Sequence, residues 1–167
     1  RSSAASDVYK RQANMSDTEW FFAVFPKLEI VDTFDFEFQP DRLKNPCHYI
    51  FNCKNPVNGL EYGHGAVILY NKEITIQTTD PGLDFTLSGA HDTAPILSAI
   101  NHYNETPWLA WRTAFREVMK LKQALAVSED VESNYRLKTW LTKAQGKNGE
   151  WSLHGSKDAS DYYDNYK

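Results

Sequence analysis

The hydrophobic pattern changes period once along this chain, at Thr106-Pro107, and that change restricts the fold more than any other feature. Upstream, apolar residues come in short runs or alternate, as they do on strands. Downstream they recur every three or four residues, as they do on helices. Thr106 offers a capping hydroxyl, and Pro107 suits the first helical position. Trp108, Trp111, Phe115, Val118, Met119 and Leu125 then form a helical stripe expected to face a core. A second helix is expected from about Val131 to Ala144, with Leu137, Trp140, Leu141 and Ala144 on one face. A third is expected from roughly Trp151 to Tyr166, carrying Ala159, Tyr162 and Tyr166. Strands first and helices last predict an α/β fold, with a sheet portion over 15–105 and a C-terminal subdomain of about three helices over 106–167 of the same domain.

Within the sheet portion, Trp20 to Ile30 opens as a continuous apolar run, the pattern of a buried, parallel-type strand, which Pro26 ends or bulges. Phe34, Phe36 and Phe38 alternate with Asp35 and Glu37, as in a half-buried strand or extended segment. His48 to Asn52 and Gly65 to Tyr70 are further strand candidates. Glu73 to Thr78 and Ala94 to Tyr103 each read as strand or short helix, and Asp80 to Asp92 as loop. Residues 1–12 show no apolar period and no signal-peptide core, and resemble the translated vector or adaptor scars at the ends of environmental reads. Residues 1–14 are therefore expected to be a non-native or disordered leader, and the chain a fragment whose native sequence begins near Ala13.

The length of 167 residues fits one domain or a piece of one, and an apolar fraction of 41% supports a real core. A net charge of −4 argues against nucleic acid or an anionic membrane as partner. No apolar stretch approaches the ~18 residues of a membrane span. Cys47 and Cys53 have neither metal nor redox spacing, which points to a reducing, cytoplasmic setting.

Three constellations bear on chemistry. Lys54 to Lys72 places Gly59, Gly63 and Gly65 among Asn58, Tyr62 and His64, ahead of an apolar strand. Such a loop either lets backbone approach a ligand or is a tight turn, and spacing alone fits both. Arg112, Arg116 and Lys120 recur every four residues beside Trp111 and Phe115, with Glu117 available as a partner. They form either an anion-binding row or an ordinary solvated helix face. Gly82 to Asp92 carries Asp84, Thr86, Ser88, His91 and Asp92, suited to holding sugar hydroxyls, to general-base work, or simply to capping a loop. No HExxH, CxxC, GxSxG or phosphate-loop pattern occurs.

Four stretches in this order resemble a glycosyltransferase-like family of large tailed phages of marine bacteria. They are WFFAVFPKLEIVDTFDFEF, NPVNGLEYGHGAVILYNK, the DFT after Pro81, and WRTAFREVMKLK followed by YRLKTWLT. The resemblance covers residues 17–166. It implies a partial GT-A, Rossmann-like mixed sheet lacking the half that holds the nucleotide base. It also implies a nucleotide-sugar donor, a glycan or other hydroxyl acceptor, and a host-cytoplasmic location. In that family a DxD pair holds Mg²⁺ or Mn²⁺, but the matching positions here are Phe25 and Lys27, so the metal ligands are absent. Lys27, Arg112 and Arg116 would then clamp the diphosphate without a metal. Tyr62, Gly63, His64 and Gly65 would form the sugar floor, with Tyr62 or Trp111 stacking on a ring. Asp84 would hold donor hydroxyls or act as base, with Thr86 beside it. The degraded DxD supports an alternative, a non-catalytic carbohydrate-binding or phage-structural module on the same fold. A nucleic-acid accessory factor, resting on the Arg112, Arg116, Lys120 and Lys122 stripe, comes third.

Overall fold

The computed structural model describes residues 2–63, 67–79 and 85–166. The fold is α/β, a curled mixed sheet followed by a helical C-terminal part. The chain divides into two compact units: Arg1–Cys53 with Tyr62–Ala99, and Lys54–Glu61 with Ile100–Lys167. The expected border near residue 105 therefore misses one exchange, because the Lys54–Glu61 loop belongs to the helical unit.

The sheet is built from β1 (Trp20–Ala23), β2 (Leu28–Ile30), β3 (His48–Lys54), β4 (Glu61–Tyr62), β5 (Ile68–Asn71) and β6 (His91–Asn101). Its order is β1-β5-β3-β6-β2, with β4 paired to β3. β1 and β2 sit at opposite ends of that order yet are joined only by residues 24–27. Five peptide steps reach at most about 17 Å, whereas five flat strands at their usual spacing span about 19 Å. The short link, turned at Pro26 with the Leu28 N–H donating to the Phe25 carbonyl at 3.1 Å, is thus consistent only with a curled sheet.

Alternation sorts the strand residues onto two faces. Trp20 and Phe22 of β1, Tyr49, Phe51 and Cys53 of β3 and Leu69 of β5 enter one cluster with Phe34 and Phe38. Phe21 and Ala23 of β1 and Ile68 and Tyr70 of β5 enter a second with Phe25 and Phe85. The parallel-type expectation for Trp20 onward is corrected, since β1 is an edge strand antiparallel to β5, with Phe21 opposite Tyr70. Its unbroken apolar run reflects cover on both faces, which is independent of strand direction. Phe34, Phe36 and Phe38 form no strand. Phe34 and Phe38 instead lie edge-on to Phe51, with centroids 5.0 and 5.1 Å away. Glu73 to Thr78 resolves as helix α2 (Lys72–Gln77), capped by the Asn71 side chain, and Ala94 to Tyr103 resolves as strand through Asn101. α3 is the single turn Phe85–Ser88. Where a disordered leader was expected, Ser2–Met15 is helix α1, with Ala13 buried and Tyr9 stacked on Phe85 at 4.9 Å.

In the helical unit, α4 (Pro107–Val127) starts as expected, with the Thr106 hydroxyl accepting from the Leu109 N–H. α5 (Val131–Thr142) is capped by Asp130, and α6 spans Gly149–Tyr166. The buried row of α4 is Ala110, Ala114, Val118 and Leu121. It meets Gly155 and Ala159 of a row on α6 that also buries Ser152 and Ser156. Small residues bring the two backbones close, and a Cβ added to Gly155 would collide with the Trp111 carbonyl oxygen. The aromatic stripe expected to be buried is corrected accordingly. Trp108 is 63% exposed, because Ala110, about 200° round the helix, and its buried neighbours take the core side.

Candidate functional site

The residues singled out from sequence are divided between the two units. His64, Gly65 and Asp84 lie outside the described residues. Lys27 is exposed on the β1–β2 turn of the sheet unit, whereas Arg112 and Arg116 belong to the helical unit. Phe25, at the first position of the implied DxD pair, packs against Ile68, Tyr70 and Phe85. Tyr62 is only 5% exposed, so its ring is closed to a sugar. Gly63 has a packing reason, because a Cβ there would stand 3.0 Å from Ile50 Cγ2. Thr86 is buried, with its hydroxyl 2.6 Å from the Tyr70 hydroxyl. Ser88 and Asp92 are engaged in local contacts or an ion pair. The Ser88 hydroxyl donates to the Phe85 carbonyl, Asp92 accepts from the Thr93 N–H, and Asp92 also pairs with Lys44 at 3.3 Å.

The first half of the glycine loop is a structural clasp. Asn55 Oδ1 accepts from the Val57 N–H and, at 2.6 Å, from the buried Tyr103 hydroxyl. Burial holds that phenol well above the usual tyrosine range, so it stays protonated as a donor. Asn58 Oδ1 accepts from the Leu60 N–H, and the Val57 carbonyl accepts from the Gln145 N–H at 2.8 Å. Gly59, at φ 75°, occupies the left-handed conformation that this turn requires.

What the helical unit does assemble is a surface row of rings, exposed at Trp108, Tyr162 and Tyr166 and half-buried at Trp111 and Phe115. Trp108 stacks on Trp111 with centroids 5.3 Å apart, and Trp111 on Phe115 at 5.1 Å. The row crosses to α6 through Tyr162 at 6.0 Å and continues to Tyr166 at 5.4 Å. Tyr162 and Tyr166 are 48% and 76% exposed. The Trp111 indole N–H donates to Asp158 Oδ2 at 2.6 Å, which fixes the ring across the helix pair. Arg112 and Arg116 are exposed on the outer flank of α4, and among the described residues neither makes an ion pair. Lys120 is paired with Glu117 at 3.3 Å, so the expected three-cation row reduces to two open guanidiniums. No protein-family model, curated protein or solved structure matches this chain.

Sequence reasoning named Trp111 and both arginines, and read the other rings only as apolar stripes on their helices. The missed signal was Ala110 and Ala114, whose small side chains mark the close-packed side of α4 and leave the large rings outside.

The sheet unit holds one further polar group of note, the fully buried His48 on β3. Its Nδ1 accepts from the Asn71 N–H at 3.1 Å, which places the neutral ring's proton on Nε2, the atom nearest Gly89. Burial, reinforced by His91, lowers its pKa to about 4. A Cβ on Gly89 would stand 3.0 Å from Nε2, so the glycine is required by this packing. Among the described residues no group of His, Cys, Asp or Glu side chains is arranged to hold a metal ion, and no helix is long and apolar enough to cross a membrane.

Proposed function

We propose that the chain is a non-catalytic structural module that docks another protein through the ring row of its helical unit. The observation that carries this reading is the way the rings are used. Trp108, Trp111 and Phe115 turn faces to one another, so the faces between them are already taken, with Arg112 and Arg116 alongside. A sugar platform needs free ring faces. Surface Trp, Tyr and Arg form the composition that dominates protein interfaces. Cys47 and Cys53, both free and buried, support a reducing compartment such as a host cytoplasm.

The second reading is the nucleotide-sugar transferase implied by the phage-family resemblance, favoured by the two unpaired guanidiniums as diphosphate ligands. Calorimetric titration with a panel of nucleotide-sugars, with and without EDTA, separates the two. The structural reading expects no binding heat in either condition. Binding that Arg112→Ala and Arg116→Ala abolish would overturn it in favour of the transferase. A photo-crosslinking residue at position 108 is expected to give a protein adduct, and labelling of glycan alone would also defeat the structural reading.

A further inference from the structure

We infer that the partner of the ring row is a second copy of this chain, paired about a two-fold axis that runs along the row. This rests on the docking reading above and adds the identity and register of the partner.

Trp111 contacts Asp158, Phe115 contacts Tyr162, and Lys122 contacts Asp164, so the contacts advance together along both helices and α4 and α6 run in the same direction. Arg112 and Arg116 follow Trp108 at steps of four, forming a positive edge on the flank of α4 beside the rings. Asp158 touches the row from α6, and the exposed Asp161 follows one turn later, forming a negative edge on the other side. The surface is thus a seam of five rings with opposite charges on its two long borders.

Such a surface complements itself in one orientation. Rotation by half a turn about an axis along the seam lays rings on rings and brings each copy's positive edge against its partner's negative edge. Rotation about an axis across the seam would oppose like charges and is disfavoured. The levels also agree. Asp158 lies at the height of Trp111, and Arg112 is one residue beyond it. Asp161 lies about 4.5 Å further along α6, and Arg116 about 6 Å beyond Arg112 along α4, at the usual rise per residue. Arg112 therefore meets the Asp158 carboxylate of the second copy, and Arg116 meets its Asp161. A closed two-fold arrangement of this kind buries the same patch on both copies and leaves no open surface to propagate.

The test is a charge exchange read by sedimentation equilibrium of the full chain. The native chain is expected to be a dimer at micromolar to sub-millimolar concentration. Arg116→Glu and Asp161→Lys are each expected to weaken self-association by about tenfold or more, because each puts like charges together twice per dimer. An equimolar mixture of the two variants is expected to recover native-strength association. In the mixed dimer the two substituted positions face each other with opposite charges, while the second contact stays native. Both positions are exposed on helices, and circular dichroism of each variant verifies that it folds. A native chain that stays monomeric overturns the proposal, as does a mixture that fails to recover association. A crosslink from position 108 to a different protein would defeat the self-pairing and leave the structural reading standing. Nucleotide-sugar binding at the same arginines would remove both.

Discussion

The two units solve the problem of a core in opposite ways. The sheet unit fills its interior with large rings. Phe51 is fully buried, and Phe22, Phe34 and Phe38 have centroids within 5.0 to 6.0 Å of it. The helical unit brings backbones together over Ala110, Ala114, Gly155 and Ala159, and buries polar groups such as Asn55, Tyr103 and Ser156. The sheet unit packs ring against ring throughout, whereas the helical unit buries Trp140 beside Tyr103 but joins α4 to α6 through small residues. The contrast explains where the function-bearing surface lies. Most rings of the sheet unit go into its core, with Phe36 at 46% exposure an exception, whereas alanine and glycine at the α4–α6 contact push the rings along that contact outward.

Substitutions that act in opposite directions test this contrast. Phe51→Ala removes a ring from a close-packed cluster and is expected to cost about 4 kcal/mol, the usual scale for a buried phenylalanine. Urea denaturation measures the loss, and hydrogen exchange should locate it in β3 and β5. Gly155→Ala adds a single methyl where the Trp111 carbonyl already stands and is expected to cost about 3 kcal/mol, the upper end for overpacking. Its exchange signature should fall on α4 and α6. A tolerated alanine at 155 would mean that the helices are free to separate, and the contrast between the units would fail.

The sequence made the helical half legible and left the site obscure, for different reasons. Thr106-Pro107 marks the start of α4 to the residue because a cap and a proline act locally. The strand positions of β1, β3 and β5 were likewise visible in their apolar runs. Their pairing was not, because a run covered on both faces looks alike whether its neighbours are parallel or antiparallel. Ring exposure on α4 was misjudged because a stripe of large apolar residues outweighs alanines in any reading of periodicity. Only the partner helix, with Gly155 and Ala159, shows which row is the contact. The clasp of Asn55 on Tyr103 joins residues 48 apart in the sequence, and nothing in the local pattern of the Asn55–Leu60 turn announces it.

His48 gives the contrast its smallest and most specific handle, because the sheet unit encloses a titratable group among rings. Its folded pKa of about 4 lies below the ordinary histidine value of 6.5, so the unfolded chain takes up a proton before the folded one does. The stability it contributes is complete above pH 6.5 and is lost as the pH falls toward 4. At pH 5 the expected loss relative to pH 7.5 is about 2 kcal/mol. Denaturation midpoints followed across that range should fall with the slope of one proton. His48→Gln, which keeps an acceptor for the Asn71 N–H, is expected to flatten that part of the profile while leaving the carboxylate-driven loss at lower pH in place. Glu105, held low by Lys147, belongs to that second, more acidic phase. If the glutamine variant kept the native slope between pH 6.5 and 5, the ring at position 48 would be protonated within the fold, and the sheet interior would be less closed to charge than its aromatic packing implies.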